Sequence, residues 1–558
     1  MNEILTRLPL SIQSLPPVQD LIGVVNAQAR QLQAQAGQLQ AQVGQLQIQA
    51  EQVAAMQKTI DELKDEISRL NNTPKRPKFR SGGMEPRNRS KGTPPQNLNE
   101  ANVSNQGVHN PKKVREEKRV PPVSIPEGSR FKGYQEFVVQ EVELIAKDVV
   151  YKLEVWEAPD GTIHRGNLPA VLGGQHFGSE LRTLIINLYA QCMTQPCILE
   201  FLQNIGIEVS TGQIHNILMQ ESKSFSSMSE DILSSGLREA DYIETDDTAA
   251  KHKHKNGYCT YLGGKYFSYY KSSQSKSREN FLSILLQGKE GYHVNDTMIW
   301  HLTQCGVPDH ILYLFEERQG KEYSSKQGFR RLLNALSVQG KKIIEHCIEA
   351  AAIGFISATI LKKDQVLISD RAGQFSILNH AACWIHMERP LRKIPVTNDL
   401  VEKEVRMARD VIWKTYRKLK EPVRSDLWRK EVEILYDNIT AMKSCSPKVT
   451  EVIANFQKYR EELLKSLDYP AVPLHNNGSE QSIREMVKRR DVSGSTKSIE
   501  GQKFRDGLAS IKQTCRKLGL SLYSFVRQYF EDGFIDLSNL VQQRYQHTLE
   551  SQPVAMTF

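Results

Sequence analysis

Between residues 22 and 70, apolar side chains return in alternating steps of four and three, the spacing of a long helix packed along a second one. Val25, Ala29, Leu32, Ala36, Leu39, Val43, Leu46, Ala50 and Val53 form the seam, and Met56, Ile60, Leu63, Ile67 and Leu70 resume it after two consecutive steps of three. RQLQAQA, GQLQAQV and GQLQIQA are successive copies of one seven-residue unit. Glutamine on the outer face gives little electrostatic choice of partner, so the expected partner is another copy of the chain. Residues 1–70 are assigned to an N-terminal coiled coil and the protein to a homo-oligomer, with the number and direction of its strands open.

Charge is the second constraint. The chain carries +9 overall, and residues 71–120 alone hold 12 basic and 4 acidic residues, a net +8. That Pro-, Gly- and Asn-rich tract cannot pack a core, so 71–122 is read as a basic disordered linker. A basic tether beside folded domains suits a polyanion, most simply nucleic acid; a solubilising linker is the plainer reading. With 39% hydrophobic and 25% charged residues, the chain is neither wholly disordered nor collagen-like nor a membrane protein. The apolar run Ala350–Leu361 is too short to span a bilayer, and Met1-Asn2-Glu3 does not open a signal peptide. Eight scattered cysteines without a CxxC pair argue for a reducing, cytoplasmic setting.

Residues 123–175 read as a small strand-rich segment, with strands over Glu136–Trp156 and a turn at Pro159-Asp160-Gly161. Residues 176–235 read as helical. Leu181, Leu184, Ile185 and Leu188 share a face, and a second helix opens near Pro196 and stops at Gly206. Ser210-Thr211-Gly212-Gln213 is a capping box for a third helix, which buries Ile214, Ile217 and Leu218. This outline fits a helix-turn-helix with Gln213, His215, Asn216 and Gln220 facing outward to DNA bases, and it fits an ordinary helical hairpin. Residues 236–490 alternate strands and helices, with a short strand Tyr242–Thr245, a hairpin over Gly263-Gly264 and a buried strand Val366–Ile368. Residues 395–470 interrupt them as a charged helical insertion, 293–340 read as a further added element, and 491–558 as a C-terminal helical region.

Two of those strands end in acids, Asp246 and Asp370, and a helix opens at Asn476-Asn477-Gly478-Ser479-Glu480. Carboxylates gathered by a mixed sheet can hold two divalent ions for phosphodiester chemistry. Each acid has a plainer role: Asp246 could cap a loop, Asp370 could form an Asx turn with Arg371-Ala372-Gly373, and Glu480 could close a capping box with Asn477.

The blocks around these acids are more specific. Thr245-Asp246-Asp247-Thr248, Ile368-Ser369-Asp370-Arg371 followed by Cys383-Trp384-Ile385-His386, and Asn476-Asn477-Gly478-Ser479-Glu480, in that order, resemble the DDE transposases of the insertion-sequence-sixty-six type. The resemblance runs over most of the chain. It implies an α/β fold: an RNase H-like mixed-sheet catalytic core with a helical insertion between the second Asp and the Glu. It also implies Asp246, Asp370 and Glu480 as catalytic residues and ligands of two Mg2+ ions, for which Mn2+ could substitute. Asp247 rivals Asp246, since strand alternation lets only one face the site. The chain departs from the pattern in having no cysteine before Cys192, where many members carry a zinc-binding segment, and in the 124 positions from Asp246 to Asp370. Arg371 stands where some relatives have a second Asp.

Around the acids, Arg484 and Lys488 lie four and eight residues beyond Glu480 on one helical face, and Lys488-Arg489-Arg490 extends the charge toward DNA phosphates or simply solvates the helix. Lys251-His252-Lys253-His254-Lys255 is either a DNA clamp or a charged turn. Trp384 is expected in the core and His386 near the acids, while His380, Cys383 and His386 also have a spacing zinc accepts. The expected activity is cleavage at the ends of an insertion sequence and strand transfer into target DNA. The expected partners are double-stranded DNA, further copies of the chain and accessory proteins of the same element; no membrane is expected. An RNase H-like nuclease that cuts without joining and a non-catalytic coiled-coil regulator are the alternatives.

Overall fold

The computed structural model describes residues 117–122, 127–132, 134, 139, 141–169, 176–395, 399–422, 424–533 and 535–550. The chain divides into two units, Met1–Ala101 and Asn102–Phe558. The coiled coil and residues 71–116 of the linker lie outside the described residues.

Among the described residues before 176, strand structure is shorter than the sequence suggests. Val155–Glu157 (β1) and Ile163–Arg165 (β2) form a hairpin over a turn in which Asp160 Oδ1 accepts from Thr162 N at 2.9 Å. Residues 141–154 carry no regular element, and Val142, Ile145 and Val150 are exposed. β-Branched and apolar residues supply propensity, but a strand also needs a partner edge for its N–H and C=O groups, and β2 offers three residues.

Four helices follow: Ser179–Ala190 (α1), Gln195–Asn204 (α2), Thr211–Gln220 (α3) and Ser222–Glu239 (α4). Both bonds of the Ser210–Gln213 capping box are present, and α3 buries Ile214, Ile217 and Leu218. Gly206, at φ 84°, makes the turn after α2.

The central sheet comprises Tyr242–His252 (β3), Lys255–Gly263 (β4), Ser268–Ser273 (β5), Val366–Ser369 (β8) and His380–Ala382 (β9), in the order β5-β4-β3-β8-β9. The pairs β3–β4 and β4–β5 are antiparallel, while β8 runs parallel to β3 and β9 parallel to β8. β3 continues through Asp246 and Asp247 to His252 instead of ending at the acids, because β4 pairs it along that whole length. Lys253 and His254 form its two-residue turn, both at positive φ. The β4–β5 loop has four residues, 264–267, because Gly263 is already paired with Ser268.

Between β5 and β8, Arg278–Leu286 (α5) leads into Tyr292–His293 (β6), Asp296–Gln304 (α6), Asp309–Glu316 (α7), Glu322–Tyr323 (β7), Lys326–Ala335 (α8) and Lys341–Phe355 (α9). This stretch has its own apolar core around Phe315, Phe329 and Leu302, as an added element should. The stretch Lys341–Ile360 is long and apolar enough to cross a membrane, and half of its apolar window is buried in the protein.

After β9, Trp384–Arg392 (α10) is followed by the helical insertion: Asp399–Leu419 (α11), Asp426–Thr440 (α12), Pro447–Lys458 (α13) and Arg460–Leu463 (α14). Trp384, Tyr436 and Phe456 centre its core. Asn477–Ser493 (α15), Ile499–Leu518 (α16), Leu522–Asp532 (α17) and Leu537–Glu550 (α18) complete the order. The last three helices share one core with α1–α4 and the sheet, through Phe225, Phe267, Phe504 and Leu537. α16 also lies along β5 and closes the sheet edge: Thr514 Oγ, Ser510 Oγ and Asp506 Oδ2 accept from the backbone N–H groups of Ser268, Tyr270 and Ser272 at 3.1, 3.0 and 2.7 Å.

Candidate active site

Asp246 lies midway along β3 on the face that α15 covers. Paired residues share a face, and its partner Tyr261 packs with Ile483 and Met486 of α15. Alternation then turns Asp247 to the opposite face, where its Oδ2 accepts from Gln374 Nε2 at 2.8 Å. The structure thus prefers Asp246 over its neighbour as the acid directed at the Glu480 helix.

Asp370 follows β8 directly. The parallel register matches Glu244 with Ile368, so Asp246 and Asp370, each two residues on, stand at the same level. The Asx turn anticipated at Asp370 is present: its Oδ1 accepts from Ala372 N at 2.9 Å, with Arg371 between them at φ 71°.

Glu480 stands in the first turn of α15 and does not cap it. Its Oε1 lies 3.3 Å from His386 Nε2 and 3.2 Å from Arg389 Nη2, both on α10. Burial lowers the pKa of His386, and Arg389 adds to that, against the opposing charges of Glu480 and Asp370. Its Nδ1 is buried without a hydrogen-bond partner.

Electrostatics joins the three acids. The Asp246 carboxyl is pushed up to about 7, first by burial and then by the charges of Asp370, Asp247 and Glu480, against the bond it accepts from Asp247 N. Carboxylates crowded in this way, with little compensating charge, favour a proton or a cation. Among the described residues, no three His, Cys, Asp or Glu side chains are spaced to share an ion as they stand.

Asn476 holds this arrangement together. It is fully buried; its Nδ2 donates to Thr245 O at 2.9 Å, its N to Cys383 Sγ at 3.3 Å, and its carbonyl accepts from Glu480 N at 3.2 Å. One residue therefore ties α15 both to the strand beside Asp246 and to the start of α10, which is why the Cys-Trp-x-His and Asn-Asn blocks belong together. Trp384, as expected, is in the core of the insertion, its Nε1 donating to Leu463 O at 2.8 Å. The zinc reading fails on geometry: both ring nitrogens of His380 are engaged, by Ser369 Oγ at 2.8 Å and Glu462 Oε2 at 2.9 Å.

Residues 358–503, which include Asp370 and Glu480, match the Transposase IS66 family. The chain is also similar to the uncharacterized protein y4jO of Sinorhizobium fredii (strain NBRC 101917 / NGR234), with 31% identity over 303 residues, 53% of this chain and 93% of that relative. The chain belongs to the IS66 transposase family. Membership of a transposase family points to DNA as a partner.

In this IS66 transposase, Arg484 and Lys488 are exposed and in line with Glu480 along α15. Arg489 is a correction. It is buried, stacks on Tyr189 and donates to that residue's carbonyl, so it anchors α15 to α1 and is not presented to a phosphate. Arg490 is partly exposed and donates to Ala249 O at 2.9 Å. The Lys251–Lys255 run forms the β3–β4 hairpin tip, with Lys251 exposed and His252 Nδ1 held 2.8 Å from Thr496 Oγ. On α3, His215, Asn216 and Gln220 are exposed, whereas the side-chain oxygen of Gln213 is taken up by Ser210 N at 2.8 Å. Sequence reading gave no role to Asn476, Gln374 or Arg389. The Asn was visible inside a motif, but the other two become site residues only through contacts 127 and 91 positions away.

Proposed function

We propose that this transposase is a DDE enzyme with an RNase H-like core, cutting DNA at the ends of an insertion sequence and joining those ends to target DNA. The observation that carries the reading is the convergence of Asp246, Asp370 and Glu480 from three separate elements, with Asp246 responding to the charge of both other acids. The sheet order, three antiparallel strands followed by two parallel to β3, supports the core assignment.

The donor set fits divalent metal. Carboxylate oxygens suit hard cations such as Mg2+ or Mn2+, and the raised Asp246 carboxyl is relieved by a positive charge. Asp246, Asp370 and Glu480 would hold two ions, which, when bound, would activate the attacking oxygen and stabilise the leaving one. In the geometry described, one oxygen of Glu480, Oε1, meets both His386 and Arg389, so a metal would be taken through Oε2 or in competition with Arg389 for Oε1. His386, held toward its neutral form, would orient that carboxylate through Oε1. Asn476 keeps α15 and β3 in register meanwhile.

Around this centre, Arg484, Lys488 and Arg490 on α15 and Lys251 and His252 at the hairpin tip would bind backbone phosphates, while Asn216 and the remaining amide of Gln213 on α3 would read base edges. Residues 22–70 would multimerise the protein so that two ends are held together, in the cytoplasm and with accessory proteins of the same element as further candidate partners. The test is incubation with element-end DNA and Mg2+. Nicked product ending in a 3′-hydroxyl and a joined product are expected, and Asp370→Asn should remove both while sparing DNA binding. Cleavage that survives Asp370→Asn would overturn the assignment.

A further inference from the structure

Two residues before Asp246, Glu244 is buried on β3, only 7% exposed. It shares the Asp246 face, and there it meets the first turn of α15. A β-carbon built on Gly478 would lie 2.6 Å from Glu244 Cδ and Oε1, and closer still to Oε2. Real side chains essentially never approach so closely. The glycine of the Asn-Asn-Gly-Ser-Glu block is thus explained by packing and not by a left-handed backbone, since Gly478 has no positive φ. The adjacent residue repeats the pattern: the Thr245 carbonyl accepts from Asn476 Nδ2. Consecutive residues of β3 therefore grip positions 476 and 478, at the start of the helix whose first turn carries Glu480. The N-cap side chain makes no capping bond, and a carboxylate at that end also faces the positive pole of the helix.

We infer that Glu244 is a positioning residue for Glu480: its carboxylate fills the space a side chain at Gly478 would take, and so fixes how closely α15 approaches Asp246. The inference rests on the assignment of Glu480 proposed above. A methyl group at 478 must displace either the Glu244 carboxylate or α15; because Glu244 is buried, with little room to swing aside, the inference is that α15 gives way and carries Glu480 with it. Shortening the acid by one methylene, as in Glu244→Asp, withdraws the carboxylate and makes room for that methyl.

The experiment compares wild type, Gly478→Ala, Glu244→Asp and the double variant in Mg2+-dependent cleavage of element-end DNA, with melting temperatures for each. Gly478→Ala should lower kcat by about 10- to 100-fold, the cost of a misplacement near 1 Å, while KM for DNA stays within about twofold. In the Glu244→Asp background the same change should cost no more than about threefold. An equal loss in both backgrounds, or a loss in KM with kcat preserved, overturns the inference. If Gly478→Ala alone does not fold, recovery of soluble, cleaving protein in the double variant supports the contact, and failure to recover overturns it. If wild type itself does not cleave, the Glu480 assignment has failed; in that case non-additive melting shifts would still uphold the Glu244–Gly478 contact, and additive ones would sink it.

Discussion

Asp246 carries the largest electrostatic strain among the proposed catalytic acids, and its sign can be followed through pH. Its carboxyl is raised from an ordinary value near 3.8 to about 7, so between those values the folded protein keeps a proton that the unfolded chain has lost. Stability of the metal-free protein should therefore fall as pH rises from about 4 to 7, and Mg2+ should restore most of it at the upper end. Asp246→Asn removes the ionisation and should stabilise the metal-free protein by about 1–3 kcal/mol at pH 8 while abolishing cleavage. Thermal melts of both proteins from pH 5 to 8, with and without Mg2+, check this; parallel curves would count against it. Arg389 supplies a second prediction at this scale. Its bond to Glu480 is 43% exposed on the arginine side, so it is weak, but it competes for a proposed ligand. Arg389→Ala should lower the Mg2+ concentration for half-maximal cleavage by about threefold, read from a metal titration.

Among the elements, the helices were more legible than the strand ends. The capping box at Ser210 and the apolar spacing of α3 appear in the structure residue for residue, because helix signals are local. Strand signals depend on what lies across the ladder. The run 136–156 is rich in strand-forming residues, yet its described residues supply only Val155 and Trp156 to the three-residue strand β1, while β3 runs on through two adjacent aspartates because β4 is there to pair it. The tip at Lys253-His254 lacks the Gly or Asn that announces such a turn, and its anchor, Thr496, is more than 240 positions away. Motif order alone singled out the three proposed acids; the contacts that hold Glu480 were not legible, since each joins segments far apart in the chain. The closing of the sheet edge by α16 was equally hidden. Ser510→Ala would leave the buried Tyr270 N–H without its partner and should cost about 1–3 kcal/mol, measured as a lower urea midpoint with unchanged slope.

On the proposed assignment, the whole molecule has to bring residues 246, 370 and 480 together across two large interruptions, each with its own apolar core. Separate cores let the α6–α9 stretch and the α11–α14 insertion fold around their own aromatic residues while the sheet between them sets the acids. The heptad seam, outside the described residues, is proposed to act at a larger scale still. Deleting residues 1–70 should reduce the oligomer by sedimentation velocity without changing the melting temperature of the remainder by more than a few degrees; full-length protein that sediments as a monomer at micromolar concentration would remove the coiled-coil proposal. The convergence of the acids is most directly tested by anomalous diffraction from crystals of the full chain loaded with Mn2+ and element-end DNA. The account predicts a peak about 2.1 Å from carboxylate oxygens of both Asp246 and Asp370, with a Glu480 oxygen directed at the metal. A peak held by Asp247 or by His380 and Glu462, or none near Asp246, would contradict it.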